Sequence, residues 1–363
     1  ALGGNLLATP ILRALGASGE TLALAAAYLR PLFAGSVFYY VLILHGAALR
    51  AVGNTSIPLV IGLGWNALNV CFNYALIYGE LGAPRLGVVG AAVSTVVAQA
   101  IGAFALLLSI ARGAVHGATL ELRIRGLDRG LARELVRLGL PASLDMMVLN
   151  AAFLSLVYLL GLVDGTAVAA HGVGLRVQNL AFVPALALAQ AAGALVGNAL
   201  GAGRAHDGRA VARAAAGFAA CATSTLGLAL VLFAAPLAEQ AFAIESGSSL
   251  HGYSVTWMRV LGVGMPLAGV HLALIGTLRG AGATMTSLKI NVVGTCFVQL
   301  PMSVLLGFIL GLGPLGIWAS VPISYVGKLF LSFLAYRRGA WAQLGLESPA
   351  AARRELAATM RSR

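Results

Sequence analysis

The sequence predicts an all-α polytopic membrane protein, and three observations carry that prediction. Of its 363 residues 59% are hydrophobic and only 10% charged, with a mean hydropathy of +0.90. Charge-poor runs long enough to cross a bilayer recur along the whole chain. The connections between them alternate between arginine-rich and arginine-poor. Soluble domains carry about 25% charged and 45–50% apolar residues, so this chain could not solvate a soluble surface. The same figures exclude disordered, collagenous and disulfide-scaffold classes. The net charge of +12 reads as a set of topology determinants rather than a nucleic-acid footprint. Cys71, Cys221 and Cys296 lie in apolar stretches without metal-ligand spacing, which gives no sign of zinc or a disulfide framework.

A bilayer core of about 30 Å needs about 20 apolar residues per helix. Residues 1–14 read as the outer end of one span. The next, 31–49, is bracketed by Arg30 and Arg50, which can snorkel to the two interfaces. Span 57–78 carries Asn66, Asn69 and Asn73, and 86–111 follows with Thr95 and Gln99. The arginine-rich segment 112–137 sets Leu131, Leu135, Val136 and Leu138 opposite arginines at helical spacing. It reads either as an amphipathic helix on the inner surface or as a solvated linker helix. Span 138–162 opens at Pro141, and 166–199 contains Gly193, Gly197 and Gly201 at the spacing that permits close helix contact. Spans 210–236, 260–278 (bracketed by Arg259 and Arg279), 288–311 and 313–336 complete the set, before a basic tail.

Arginines concentrate in 112–137, in 200–213 (Arg204, Arg209, Arg213) and in the tail, whereas the alternate links hold Glu20, Glu80, Asp164, Glu239 and Glu245. By the positive-inside rule the C-terminus is cytoplasmic. The chain also aligns with itself. Tyr28-Leu29-Arg30 matches Trp257-Met258-Arg259, an offset of 229, and Gly35 matches Gly264. The segment from Leu49 to Thr55 matches that from Leu278 to Thr284, and Leu86-Gly87 matches Leu312-Gly313 after a slip of three. The expected architecture is two six-helix bundles related by a pseudo-two-fold along the membrane normal, the first incomplete. In that reading 1–112 is an N-lobe holding the end of a third span and spans four to six. Residues 113–137 are a cytoplasmic linker, 138–337 a C-lobe with spans seven to twelve, and 338–363 a basic cytoplasmic tail.

Several of these segments resemble the multidrug and toxic compound extrusion (MATE) family, over nearly the whole chain. They are Leu49-Arg50-Ala51-Val52-Gly53-Asn54-Thr55, Asn69-Val70-Cys71-Phe72-Asn73 and Gly87-Val88-Val89-Gly90-Ala91-Ala92. In the second half they are Gly139-Leu140-Pro141-Ala142 and the run from Leu195 to Arg204. The resemblance implies a cation-coupled antiporter, driven by protons or sodium, that exports amphiphilic or cationic compounds by alternating access. It implies no cofactor, a monomer among membrane lipids, and a bacterial inner membrane. It places the N-lobe cation partners at Asn69, Asn73 and Thr95, with an amide at Asn73 where the family has an acid. It also implies a cavity-facing base at Arg176. Some relatives of the family flip lipid-linked precursors, and the visible motifs leave that alternative open.

Asp145 is the only acid inside an expected span. A carboxylate there is costly unless it works, and it can bind and release a proton. The bland reading is a carboxylate near enough to the interface to reach water. Arg176 reads either as a cavity-facing charge that tunes that carboxylate or repels cations, or as a structural partner to backbone carbonyls. Asn69 and Asn73, one turn apart, either solvate a cation or tie helices together. Gln178, Asn179, Gln299 and Tyr39 are substrate-cavity candidates, with Gln190 and Asn291 behind them. His171 and His271 read as hydrogen-bonded packing residues. No hydrolase, metalloprotease or nucleotide-binding motif stands in the sequence.

Overall fold

Apolar runs without water as a hydrogen-bond partner must satisfy their backbone internally, and helices do so within one segment. The structure, a computed structural model, describes residues 2–14, 18–112 and 129–346, and every regular element among them is helical. Nine of the described helices are long and apolar enough to cross a membrane. The chain is an integral membrane protein, as its hydropathy predicts. It divides into two compact units, residues 1–125 and 126–363.

The first unit contains α1 (Leu2–Ala14), α2 (Gly19–Ala51), α3 (Ser56–Tyr78) and α4 (Val88–Ala111). Here α2 and α3 both pack on α4. Small residues let them approach: a Cβ at Gly90 would collide with the backbone of Leu76, and one at Gly35 with the side chain of Val96. Leu49, Leu106 and Ile110 form a buried cluster beside these contacts.

The second unit begins with α5 (Arg129–Gly161) and α6 (Gly165–Gly201), then α7 (Ala205–Pro236), which runs on as a π-helical turn at Leu237–Ala241. The centre is α8 (Ser249–Gly280), packed against α6, α7 and α11 (Gly313–Arg338). Between α8 and α11 one span is broken into α9 (Thr284–Val292), a π turn Val293–Gln299, α10 (Leu300–Val304) and a second π turn Leu305–Ile309. Pro301 has no N–H to return to the preceding turn, and the wider π geometry accommodates that loss. The short α12 (Ala340–Leu346) places Trp341 in a buried cluster with Val196, Leu200 and Leu278.

Glycines set the spacing in this unit. A Cβ at Gly280 would fall on the backbone of Gly193, one at Gly276 on that of Ala189, and one at Gly262 on that of Gly227. Gly193 and Gly197 of the small-residue series noted on α6 therefore face equally small residues of α8.

The internal repeat has a local structural counterpart in each unit. After α2, Gly53 adopts φ 85°, its N–H reaches Arg50 O, and Asn54 N–H reaches Leu49 O. After α8, Gly282 adopts φ 82°, with the same bonds from Gly282 to Arg279 and Ala283 to Leu278. Gly87 before α4 and Gly313 at the start of α11 sit at φ 56° and 58°. Two expectations change. Arg30 and Arg259 lie inside helices that continue for two to three turns beyond them, so they do not bracket the helix ends. Residues 129–137 of the expected linker are the opening turns of α5, while 113–128 lie outside the described residues, as does 347–363 of the tail.

Candidate functional site

In the first unit the residues chosen from sequence come together. Asn73 Nδ2 donates to Asn69 Oδ1 at 3.1 Å, and Asn69 Nδ2 to Thr95 Oγ1 at 3.2 Å. Thr95 Oγ1 donates to Ala91 O at 2.8 Å. Ser94, fully buried, donates to Asn73 Oδ1 at 2.6 Å and joins the set without having been anticipated. The one-turn spacing on α3 meets consecutive hydroxyls on α4, so these bonds tie the two helices. They also concentrate side-chain oxygens that can solvate a cation. Asn66 stands apart and bonds back to Gly62 O. Tyr39 is half-exposed and lines a different feature, a cleft of about 270 Å³ with Arg50, Trp65 and Asn66.

The second unit holds the denser network. Asp145 on α5 has no solvent exposure, and it is not the unpaired carboxylate that the sequence suggested. Arg279 Nη2 donates to its Oδ2 at 2.7 Å, Ser287 Oγ to the same oxygen at 2.6 Å, and Asn291 Nδ2 to Oδ1 at 2.8 Å. Arg279 Nε also donates to Ser287 Oγ at 3.2 Å. Arg279, expected to snorkel at a span end, instead turns inward to the carboxylate, leaving 28% of its side chain exposed. A buried charge is tolerable when a partner neutralises it, and Arg279 supplies that partner. Arg176 does not take this role. It is exposed on α6, with no hydrogen bond or ion pair among the described residues, as is its neighbour Asn179.

From Asn291 the network continues inward. His271 Nε2 lies 3.2 Å from Asn291 Oδ1 and its Nδ1 lies 2.8 Å from Ser332 Oγ. Ser332 Oγ in turn reaches Lys328 O at 2.8 Å. His271 is thus hydrogen-bonded on both nitrogens, whereas His171 is buried with neither nitrogen bonded. That corrects the hydrogen bonding expected for His171: it packs against Trp257 with ring centres 5.1 Å apart and planes tilted by 45°, its polar atoms unsatisfied.

A second cluster adjoins this one. Lys328 on α11, only 2% exposed, donates to Gln299 Oε1 at 3.3 Å and stands 5.2 Å from the Tyr325 ring centre. Gln178 is buried as well, and its Oε1 has no partner. So Gln178 and Gln299 share a pocket, as lining residues, with Lys328. Sequence reasoning missed Lys328, although it is one of two lysines in the chain and the only charge in the expected span 313–336. It also missed Arg279 as a partner, although the repeat aligns it with Arg50.

The MatE family profile matches residues 3–75 and 141–305, two segments that include Asn69, Asn73, Asp145 and Arg279. The chain belongs to the MatE family. MatE proteins are transporters rather than enzymes. A probable multidrug resistance protein NorM of Thermotoga maritima is 27% identical to this MatE chain over 330 residues, 89% of the chain and 68% of the relative. Another, from Bradyrhizobium diazoefficiens, is 31% identical over 332 residues, 89% of the chain and 70% of the relative. Among solved structures, that of MATE in complex with MaL6 superposes with a TM-score of 0.87 at 23% identity, covering 94% of this chain and 75% of that one. That likeness concerns the fold.

Proposed function

We propose that this MatE protein is a multidrug efflux transporter of a bacterial inner membrane, a cation-coupled antiporter exporting amphiphilic or cationic compounds by alternating access. Support for the export reading comes from the family and from relatives named multidrug resistance proteins. In this reading the transporter is a monomer among lipids, with the arginine-rich connections and the C-terminus cytoplasmic.

The observation that carries coupling is the buried chain from Asp145 through Asn291 and His271 to Ser332. Its proton count has two solutions. Asn291 gives its N–H to Asp145, so its Oδ1 takes a proton from His271 Nε2. If Ser332 gives its single proton to Lys328 O, His271 must also donate from Nδ1 and is an imidazolium. If the Ser332 hydroxyl turns toward Nδ1, His271 is neutral. One hydroxyl rotation therefore accompanies the gain or loss of one proton. The charged and titratable groups around His271 are Asp145, which Arg279 already pairs, and Lys328 and Tyr325. The amide and hydroxyl set of Asn69, Asn73 and Thr95 cannot carry a proton near neutral pH, but its oxygens suit a sodium ion. The exposed Arg176 and Asn179, with Gln178, Gln299 and Tyr39, are assigned to substrate contacts.

The full chain in liposomes, loaded with a fluorescent lipophilic cation such as ethidium, tests this. An imposed proton gradient should drive export by the parent and not by Asp145→Asn at equal amounts of folded protein. A sodium gradient, if used, should lose its effect in Asn69→Leu. Undiminished proton-driven export by Asp145→Asn would remove this network from the coupling mechanism.

A further inference from the structure

The pocket around Lys328 has a composition that the coupling chain does not explain. Its lining includes His171, Gln178, Trp257, Gln299, Tyr325 and Lys328, and no carboxylate. Lys328 is buried, and among its contacts Nζ has one hydrogen-bond acceptor, Gln299 Oε1, for three N–H protons. The nearest buried carboxylate is already committed. Asp145 spends Oδ2 on Arg279 and Ser287 and Oδ1 on Asn291. Asp145 is matched by Arg279, whose side chain is partly exposed, so a protonated Lys328 is a buried charge with no carboxylate of its own. Holding that proton is unfavourable without a counter-charge.

Polar atoms without partners belong to residues that line the same pocket, one of them the acceptor Gln178 Oε1. Trp257 Nε1 is buried without a partner, and so are both nitrogens of His171, one of which carries a hydrogen in the neutral ring. Both side chains are 1% exposed. Backbone features make room for the arrangement. A Cβ at Gly174 would collide with the Trp257 ring, and one at Gly294 with the stem of Lys328. Gly294 and Gln299 both belong to the π turn Val293–Gln299, a departure from regular helix of the kind found at functional sites. The free space is about 20 Å³, close to the volume one water-sized occupant needs.

We propose that this pocket binds a compact monovalent anion, a free halide or the carboxylate head of an amphiphilic compound, held by Lys328 with Trp257 and His171 as donors. The ligand supplies the missing negative charge and accepts the unspent N–H groups, and its size is limited to a single ion or head group. A cationic compound meets the like charge of Lys328 here, and the pocket offers it amide oxygens but no carboxylate. The pocket shares Gln178 and Gln299 with the substrate contacts of the export reading, but its occupancy is measured without transport, so the two readings can fail separately.

Bromide is a suitable probe, since it quenches tryptophan fluorescence on contact and Trp257 stacks on Trp318 at 5.7 Å beside the site. The full chain is reconstituted in chloride-free lipid nanodiscs and titrated with sodium bromide, ionic strength being held with bulky sodium isethionate. The expected result is a saturable quenching component in the parent, weakened at least tenfold in Lys328→Gln and retained in Lys328→Arg. Chloride should also raise the unfolding temperature of the unmodified parent relative to isethionate, in a saturable way, a readout that needs no variant. Benzoate separates the two sources. Competition with bromide identifies a carboxylate head-group site, and failure to compete alongside saturable bromide binding identifies a free-halide site. Strictly linear quenching with no anion-dependent thermal shift in the parent would overturn the proposal. Saturable quenching of equal affinity in Lys328→Gln would overturn it as well.

Discussion

Replacement of Asp145 by Asn removes one charge from a pair whose partner sits 134 residues later in the chain, at Arg279. The carboxylate accepts three bonds. An asparagine oxygen can keep those from Arg279 and Ser287, but its amide then points N–H groups at Asn291 Nδ2, donor against donor. Removing one member of a buried pair costs about 3–5 kcal/mol, and the lower end applies because the exposed part of Arg279 can still reach water. For a unit of this size, about 3 kcal/mol corresponds to a fall of roughly 6–12 °C in unfolding temperature. The assay is thermal unfolding of the purified protein in detergent for Asp145→Asn, Arg279→Met and the double variant. Each single change should destabilise. The double variant should be more stable than the sum of the two losses, by about 1–3 kcal/mol, because neither charge is then left alone. Two single variants melting with the parent, or strictly additive losses, would show that the pair is not the anchor of this network.

Two further outcomes follow from the packing and the caps. Gly280→Ala should lower stability by about 1–3 kcal/mol, since the added Cβ meets the backbone of Gly193 rather than a movable side chain. Gly217→Ala on α7, where nothing lies within 4 Å of the new Cβ, should be neutral or slightly stabilising in the same melting assay. Asp164, outside the spans, caps α6 by accepting from Thr166 N–H at 2.8 Å, and that backbone bond holds its carboxyl below the usual range. A depressed folded-state value means that its contribution is complete above the ordinary carboxylate range and is lost as pH falls through the depressed one. The parent should therefore lose stability relative to Asp164→Asn on acidification below about pH 4. Parallel melting curves for the two across that window would show that the cap is not ionised.

Much of the architecture was legible because its signals are local. Long charge-poor runs become helices since the bilayer leaves the backbone no other partner, and glycines after Arg50 and Arg279 mark the same turn in each half. The set of Asn69, Asn73 and Thr95 was legible for a related reason: one-turn spacing on a helix is a fact of chain geometry. Asp145 stood out as a lone acid in an apolar run. Its partner did not, since Arg279 lies on another helix and only the rotation of α5 against α8 and α9 brings the two together. Lys328 was overlooked as one charge in an apolar span, and its unpaired state depends on Asp145 being spent elsewhere. In a soluble helix an apolar stripe would have announced the buried face. Here lipid-facing and core-facing residues are both largely apolar, so composition marks which segments enter the membrane more readily than which sides meet. The glycine contacts of α8 with α6 and α7, and the π turns that shift the register before α11, decide that in three dimensions.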